Sequence, residues 1–541
     1  MFRSLKNGWV LFAILLSLIV VIPIVTVGSF FFIAEAENWN HLRSTVLSNY
    51  ITNSLIIGFC VFILTVILGT VTAWIVSIYK FRFSKHLEWL LILPLAIPSY
   101  ALCYVYSDIF GYEGIFSKII DWILNSNSNF INFYSIEGAI FVFTFSLYPY
   151  VYILARQSFI SQSASYLELA QISGHTKLST FFKTSLSYSR PAIIGGATLV
   201  IMETLADYGV ADYLGIDTFT KGIYRTWFNL GDINSAGKLS SILLFTVFII
   251  MFIERLSRRK VKYNKSIRND RVFNKTNLTG YNSYLAITIC IIPVILGFFI
   301  PFFILLIWSF KSINYWEVYS FLKIVFSSFS IAFISSLLCM VCAVIIAYGL
   351  RVNYKFVSPF ARIASMGYSI PGAVAAIGIL IPIIWLDNIT DTFLNTYFNY
   401  SSGLLLSGSL IALLFAYLIR FLALSIQSVE NAFIRIPNTL DNAARVLGAR
   451  NRNILQNILL RLNIGGILIG ILIVFVDVLK ELPATIILRP YDFSTLAIKA
   501  HELAMDERLY EASLPLITII FVCLCPLFVI NKISTNNKRE I

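Results

Sequence analysis

Four carboxylates stand in apolar surroundings that do not suit them. Glu203 and Asp207 lie in one apolar segment, Asp477 and Glu481 in another, and each pair is spaced i,i+4. The two pairs are 274 residues apart, position for position. On a helix, residues four apart share a face. Glu203 lies about 12 residues, or roughly 18 Å of helical rise, beyond Pro191. A carboxylate at that depth in a membrane costs at least ~2.5 kcal/mol on insertion scales, so it faces a cavity or a partner. Two readings stay open. In one, the acids form a cation-attracting wall along a transport path. In the other they form a structural network, with Lys480 paired to an acid and the rest satisfied by backbone or hydroxyl groups.

A second pair of features recurs at the same interval. Glu168-Leu-Ala-Gln-Ile-Ser-Gly174 and Asn442-Ala-Ala-Arg-Val-Leu-Gly448 are short polar islands between apolar runs. Each has Ala at its third position (Ala170, Ala444) and Gly at its seventh; Ala443 completes the small stretch of the second. Small residues permit close helix approach, and Gly174 and Gly448 permit the sharp turn that ends a helix. Other chemistry is missing. Gly237-Lys238 lacks the rest of a phosphate-binding loop. No nucleophile–base–acid set suggests itself, so the chain is expected not to be an enzyme. Cys339 and Cys342 form a CxxC pair with no second pair and no nearby His or Asp, so they read as small core residues.

The elements that must hold these residues are membrane helices. The chain has 541 residues, 58% hydrophobic and 13% charged, against roughly 25% charged in a soluble domain. Apolar runs of about 20 residues suit helices crossing a ~30 Å hydrocarbon core. The expected fold is an all-α membrane protein of about twelve transmembrane helices in two parallel six-helix repeats. The spans are expected near 8–33, 50–79, 87–108, 136–157, 191–211 and 236–254, then 283–310, 325–351, 359–386, 404–428, 464–488 and 513–531. The run after Arg3 and Lys6 is too long for a cleaved signal and reads as a retained first helix. The domains are a first half over 1–254 with its island near 160–186, a basic linker over 255–280, and a second half over 281–541 with its island near 434–460. The net charge of +13 lies in loops beside apolar spans, which is positive-inside bias rather than a nucleic-acid surface. Linker, termini and islands are thus expected on the cytoplasmic side. Loops with Asp212 and Asp217, or Asp387 and Asp391, fall outside. Landmarks such as Pro98 and Pro371 match between halves, one residue out of register, as duplication predicts.

The islands resemble the EAA loop of ABC importer permeases. "MEtLADYG" from Met202 and "DVLKELPATIILRPYDFSTLA" from Asp477 resemble fused permeases of ferric-iron type importers. That resemblance implies a membrane subunit in the bacterial inner membrane, importing ferric iron. It implies two copies of an ATPase subunit holding ATP and Mg, an extracytoplasmic substrate-binding protein, and no cofactor in this chain. Glu168, Ala170, Gly174, Asn442, Ala443, Ala444 and Gly448 would then form the ATPase-coupling loops. Asn442 stands where the family has Glu, with Asp441 beside it. Glu203, Asp207, Asp477 and Glu481 would line the substrate path, with the phenols of Tyr208 and Tyr213 nearby. Hard trivalent iron favours oxygen donors, but a path must release its cargo, so no tight metal site is expected. Thiamine, polyamine or phosphonate cargo fits the same layout. A gradient-driven secondary transporter is the reading from another class.

Overall fold

The computed structural model describes residues 8–32, 38–111, 114, 118, 132–161, 177–258, 275–401 and 403–536. The protein is an all-helical, multi-pass membrane protein. The one sheet among the described residues is a two-residue parallel pairing of Tyr79–Lys80 with Thr276–Asn277. Among the described residues, nine helices are long and apolar enough to cross a membrane, and up to eleven if each of two bent pairs is one span.

The bends correct the expectation of straight spans, and each has a local cause. The span expected over 87–108 is two helices, Ser84–Ala96 and Ser99–Ile109, meeting at 89°. Pro98 forces the break: it keeps Ile97 extended (φ −97°, ψ 123°). The span expected over 359–386 divides at Pro371, with Gly372–Phe398 as its second helix. The spans expected over 191–211 and 464–488 also stop early. Leu186–Ala206 ends at Asp207 and Ile464–Lys480 ends at Glu481, both extended at ψ 133° and ψ 127°. A short helix then restarts in each case, Gly209–Tyr213 and Pro483–Leu488. Five-residue π-helical segments precede the two, Phe181–Ser185 and Leu455–Leu459, again 274 residues apart.

Packing crosses between the two portions of the chain. The first helix, Gly8–Ser29, packs on Val318–Ala364 and Gly372–Phe398, while Ile300–Ser312 packs on Ser99–Ile109. One buried cluster joins Val142, Tyr148 and Val200 to Leu305, Leu496 and Ile520. Another joins Val20 and Leu243 to Ala376, Tyr417 and Val478. The described start of the second portion is stitched to the first: Lys275 Nζ donates to the Val76 carbonyl at 2.8 Å and to Glu88 at 2.7 Å. The helix Leu47–Ile78 rises about 48 Å at 1.5 Å per residue. Asn53 near its start donates to the Asp217 carbonyl, so residues 208–233 lie at the end opposite Lys275.

Candidate functional site

The helix breaks bring the four carboxylates to one place. Glu203, Asp207, Asp477 and Glu481 all line a cavity of about 130 Å³ between the two portions of the chain. Tyr100, Tyr150, Tyr368, Arg420 and Lys480 line it too. Tyr208 and Tyr213 do not; Tyr208 donates to Asp212 at 2.9 Å and Tyr213 packs on Tyr104.

The four acids have unequal surroundings. Asp207 accepts from Ser99 Oγ at 2.6 Å and from the Val210 amide at 2.8 Å. Glu481 accepts from the amides of Ala484 and Thr485 at 2.9 and 3.0 Å, from the Thr485 hydroxyl, and from Arg420 Nη1 at 2.7 Å. These two cap the restarted helices, where free amides and the helix dipole favour an anion. Glu203 is less committed: it accepts from the Tyr368 hydroxyl at 3.2 Å and lies 4.0 Å from Arg420. Among the described residues no hydrogen bond or ion pair reaches the Asp477 carboxylate. Among the described residues Lys480 forms no ion pair; its ammonium donates to the Leu95 carbonyl at 2.5 Å.

Arg420 is the residue that sequence reasoning missed. It is 9% exposed in the helix Leu410–Ile434. The signal was present, since it is the one charged residue between Asp391 and Glu430. Its guanidinium fits because the neighbouring backbone is Gly372, where an added Cβ would stand 2.5 Å from Arg420 Nη1 and 2.8 Å from Glu481 Oε1.

Of the two islands, Glu168, Ala170 and Gly174 lie outside the described residues. The second is a helix, Asn438–Val446, ended by Gly448 in the left-handed region (φ +83°), where glycine carries no Cβ penalty. Asn442 and Ala443 are exposed, and Val446 and Leu447 are each 87% exposed. Ala444 is buried in the chain's own core, so the close approach it permits is internal. Asp441 is not free to stand in for an acid at position 442. It is buried and held by Arg351 Nε at 2.7 Å and Nη2 at 3.1 Å. Arg351 also donates to the carbonyls of Phe433 and Ile436 at 2.6 and 3.1 Å. That clamp ties the exposed helix to the long helix Val318–Ala364.

At the end away from Lys275, the His501 ring is held between Tyr104, at 2.7 Å from Nδ1, and Asp212, at 3.3 Å from Nε2. Burial works against the Asp212 charge, yet His501 and Tyr208 hold its carboxyl below the usual range. Among the described residues, no cluster of three or more His, Cys, Asp or Glu side chains is arranged to hold a metal.

The fold is thus a multi-pass helical bundle with a charged cavity at paired helix breaks. Residues 65–262 match the family described as binding-protein-dependent transport system inner membrane component. The chain is 22% identical over 495 residues, 90% of each chain, to the Fe(3+)-transport system permease protein FbpB 2 of Haemophilus influenzae. It is 25% identical over 272 residues, 47% of this chain and 93% of the relative, to the spermidine/putrescine permease protein PotB of the same organism. The sulfate permease protein CysT of Escherichia coli is 22% identical over 179 residues, 33% of this chain and 63% of the relative. These matches show the resemblance to fused binding-protein-dependent permeases that the sequence motifs indicated.

Proposed function

We propose that this chain is the membrane-spanning permease subunit of an ABC importer that carries ferric iron, driven by ATP hydrolysed on two separate ATPase subunits. The observation that supports this best is the meeting of four carboxylates in one cavity where both broken helices converge. The similarity over 90% of both chains to a permease named for Fe(3+) transport points the same way. The lining sets four carboxylates, Glu203, Asp207, Asp477 and Glu481, against two cations, Arg420 and Lys480, so negative charge is in excess. That favours a cation over the sulfate named for one relative.

In this reading the halves are residues 1–254 and 281–541, joined by the linker 255–280, and the loops near 160–186 and 434–460 dock on the ATPases. An extracytoplasmic binding protein delivers the ion. Closure of the ATPase pair draws the loop helices together, the Arg351 clamp passes that movement to Val318–Ala364, and the cavity opens outward. Hydrolysis resets it inward, so the chain couples two distant sites without covalent chemistry of its own. Proteoliposomes holding permease, ATPase and binding protein test the cargo. ATP-dependent uptake of ferric iron, and not of spermidine, thiamine or sulfate, is expected. Uptake of one of those without iron would overturn the ferric assignment.

A further inference from the structure

We infer a ferric-ion entry site beside the cavity, toward its outer side, made by Asp212, Tyr208 and Tyr224 from the first half and His501 from the second. The inference rests on the ferric reading above and adds where the ion is first held. Asp212 Oδ2 is the hub: the Tyr208 hydroxyl lies 2.9 Å from it and His501 Nε2 lies 3.3 Å from it. The Tyr224 ring packs against that of Tyr208, with centroids 4.6 Å apart. Carboxylate, phenolate and imidazole form a donor set suited to a hard, highly charged iron ion. At metal–donor distances of about 2.1 Å, neighbouring donors at right angles stand about 3 Å apart. The observed separations are of that size.

Tyr104 completes the arrangement. Its hydroxyl lies 2.7 Å from His501 Nδ1. A phenol oxygen can accept as well as donate, so it can accept a hydrogen bond from Nδ1–H, which leaves Nε2 unprotonated and free to bind. Such a partner orients a ligating histidine and raises its basicity. Iron binding displaces the phenolic protons of Tyr208 and Tyr224 to water and leaves His501 neutral. The oxidation state does not change, and remaining positions are open to water or to a small ligand arriving with the ion.

The site is also placed on the route inward. Tyr208 follows Asp207, and Tyr104 lies one turn beyond Tyr100; Asp207 and Tyr100 both line the cavity. Three donors belong to one half and the fourth to the other. Separation of the outer ends exposes Asp212, Tyr208 and Tyr224 to delivery, and their return brings His501 onto the ion.

The test uses the full chain in lipid nanodiscs, titrated with ferric nitrilotriacetate. A visible phenolate-to-iron charge-transfer band, saturating at one iron per chain, is expected. Tyr208→Phe and Asp212→Asn each lose it. Tyr397→Phe, at an exposed tyrosine in Gly372–Phe398, keeps it. Tyr104→Phe keeps the band but weakens affinity on the order of 10-fold. Should Tyr208→Phe fail to fold, Tyr224→Phe reads the same donor set. A band that survives both Tyr208→Phe and Asp212→Asn overturns the site. So does a wild-type chain that imports ferric iron without any band, in which case the four groups are only a hydrogen-bonded clasp and the cargo stands. A band with no ferric uptake sinks the cargo instead and leaves the site.

Discussion

The two helix breaks solve one problem in two ways. In the first, Asp207 caps the restarted helix and is completed by a neutral hydroxyl, Ser99, just after Pro98. In the second, Glu481 does the same beside Pro371, but Gly372 stands where Ser99 would be and Arg420 fills the space. Position 146, which is 274 residues before Arg420, is a serine hydrogen-bonded to its own helix. A capping carboxylate thus needs only local amides and one donor. The full positive charge of Arg420 serves more than Glu481, because it also lies 4.0 Å from Glu203 across the cavity. The first break is a local device, whereas the second joins the two halves.

The largest effect should come from removing the charge that the first half does without. Arg420→Leu leaves Glu481 buried without its cation and removes the neighbour of Glu203. Breaking a buried pair by deleting one partner costs about 3–5 kcal/mol. Ser146→Ala should cost under about 1 kcal/mol. Melting temperatures of the purified permease check the contrast. Glu481→Gln added to Arg420→Leu should recover part of the loss, and no recovery would mean that Arg420 acts through packing alone.

Next in size are the clamps on the side opposite His501. In the second half Arg351 and Asp441 are nearly enclosed, with side chains 9% and 5% exposed, whereas Arg156 and Glu88 in the first half are 23% and 21% exposed. Arg351→Ala should cost about 3 kcal/mol, counting the lost carbonyl contacts. Arg156→Ala should cost about 1 kcal/mol, as expected for a partly screened pair. Under the coupling role proposed above, Arg351→Ala would also lower transport per ATP hydrolysed. Equal melting shifts for the two variants would abolish the distinction between a buried and an open clamp.

The halves can also be exchanged at one position. Gly372→Ser imports the serine of the first break, but its Cβ meets Arg420 Nη1 and Glu481 Oε1. We expect a loss of about 1–3 kcal/mol, in the range of overpacking. The reverse change, Ser99→Gly, removes one hydrogen bond and should cost about 1 kcal/mol. If Gly372→Ser proves the milder of the two, the fit around Arg420 is looser than the structure indicates.

Much of this arrangement was legible in the sequence, and the part that was not has a physical cause. Hydropathy gives apolar runs, so the helices near 8–33, 50–79 and 136–157 fall close to their expected bounds. It does not report direction within a run. The bends at Pro98 and Pro371 and the breaks at Asp207 and Glu481 were therefore drawn as continuous spans. Pro98 and Pro371 mark the positions, because a proline keeps the residue before it out of the helical region. The acids stood out because charge is costly in lipid. The same rule applied to Arg420 would have predicted its burial against them. Sequence spacing treated the four acids as equals, and only the hydrogen bonds separate the two caps from Glu203 and Asp477. Asp441 looked like a neighbour of Asn442, but on a helix adjacent residues face apart, and it points to Arg351.

The smallest effect on stability is expected where the comparison is sharpest, between Asp207 and Asp477. Asp207→Ala removes a helix cap and the partner of Ser99, at a cost of about 1 kcal/mol. Asp477→Ala removes a carboxylate that no described residue hydrogen-bonds or ion-pairs, although it lines the same cavity. Its loss should change stability by less than about 0.5 kcal/mol, the scale of substitutions away from special contacts. Relief of a desolvated charge would even tip the sign toward stabilisation. A structural network predicts the opposite, with both variants destabilised alike. Stability and transport must be measured on the same preparation. If Asp477 serves the path proposed above, Asp477→Asn leaves the melting temperature in place and lowers ferric uptake per assembled complex. If that variant melts several degrees lower and transports normally, Asp477 belongs with the capping acids, and Glu203 alone would remain to face the cargo.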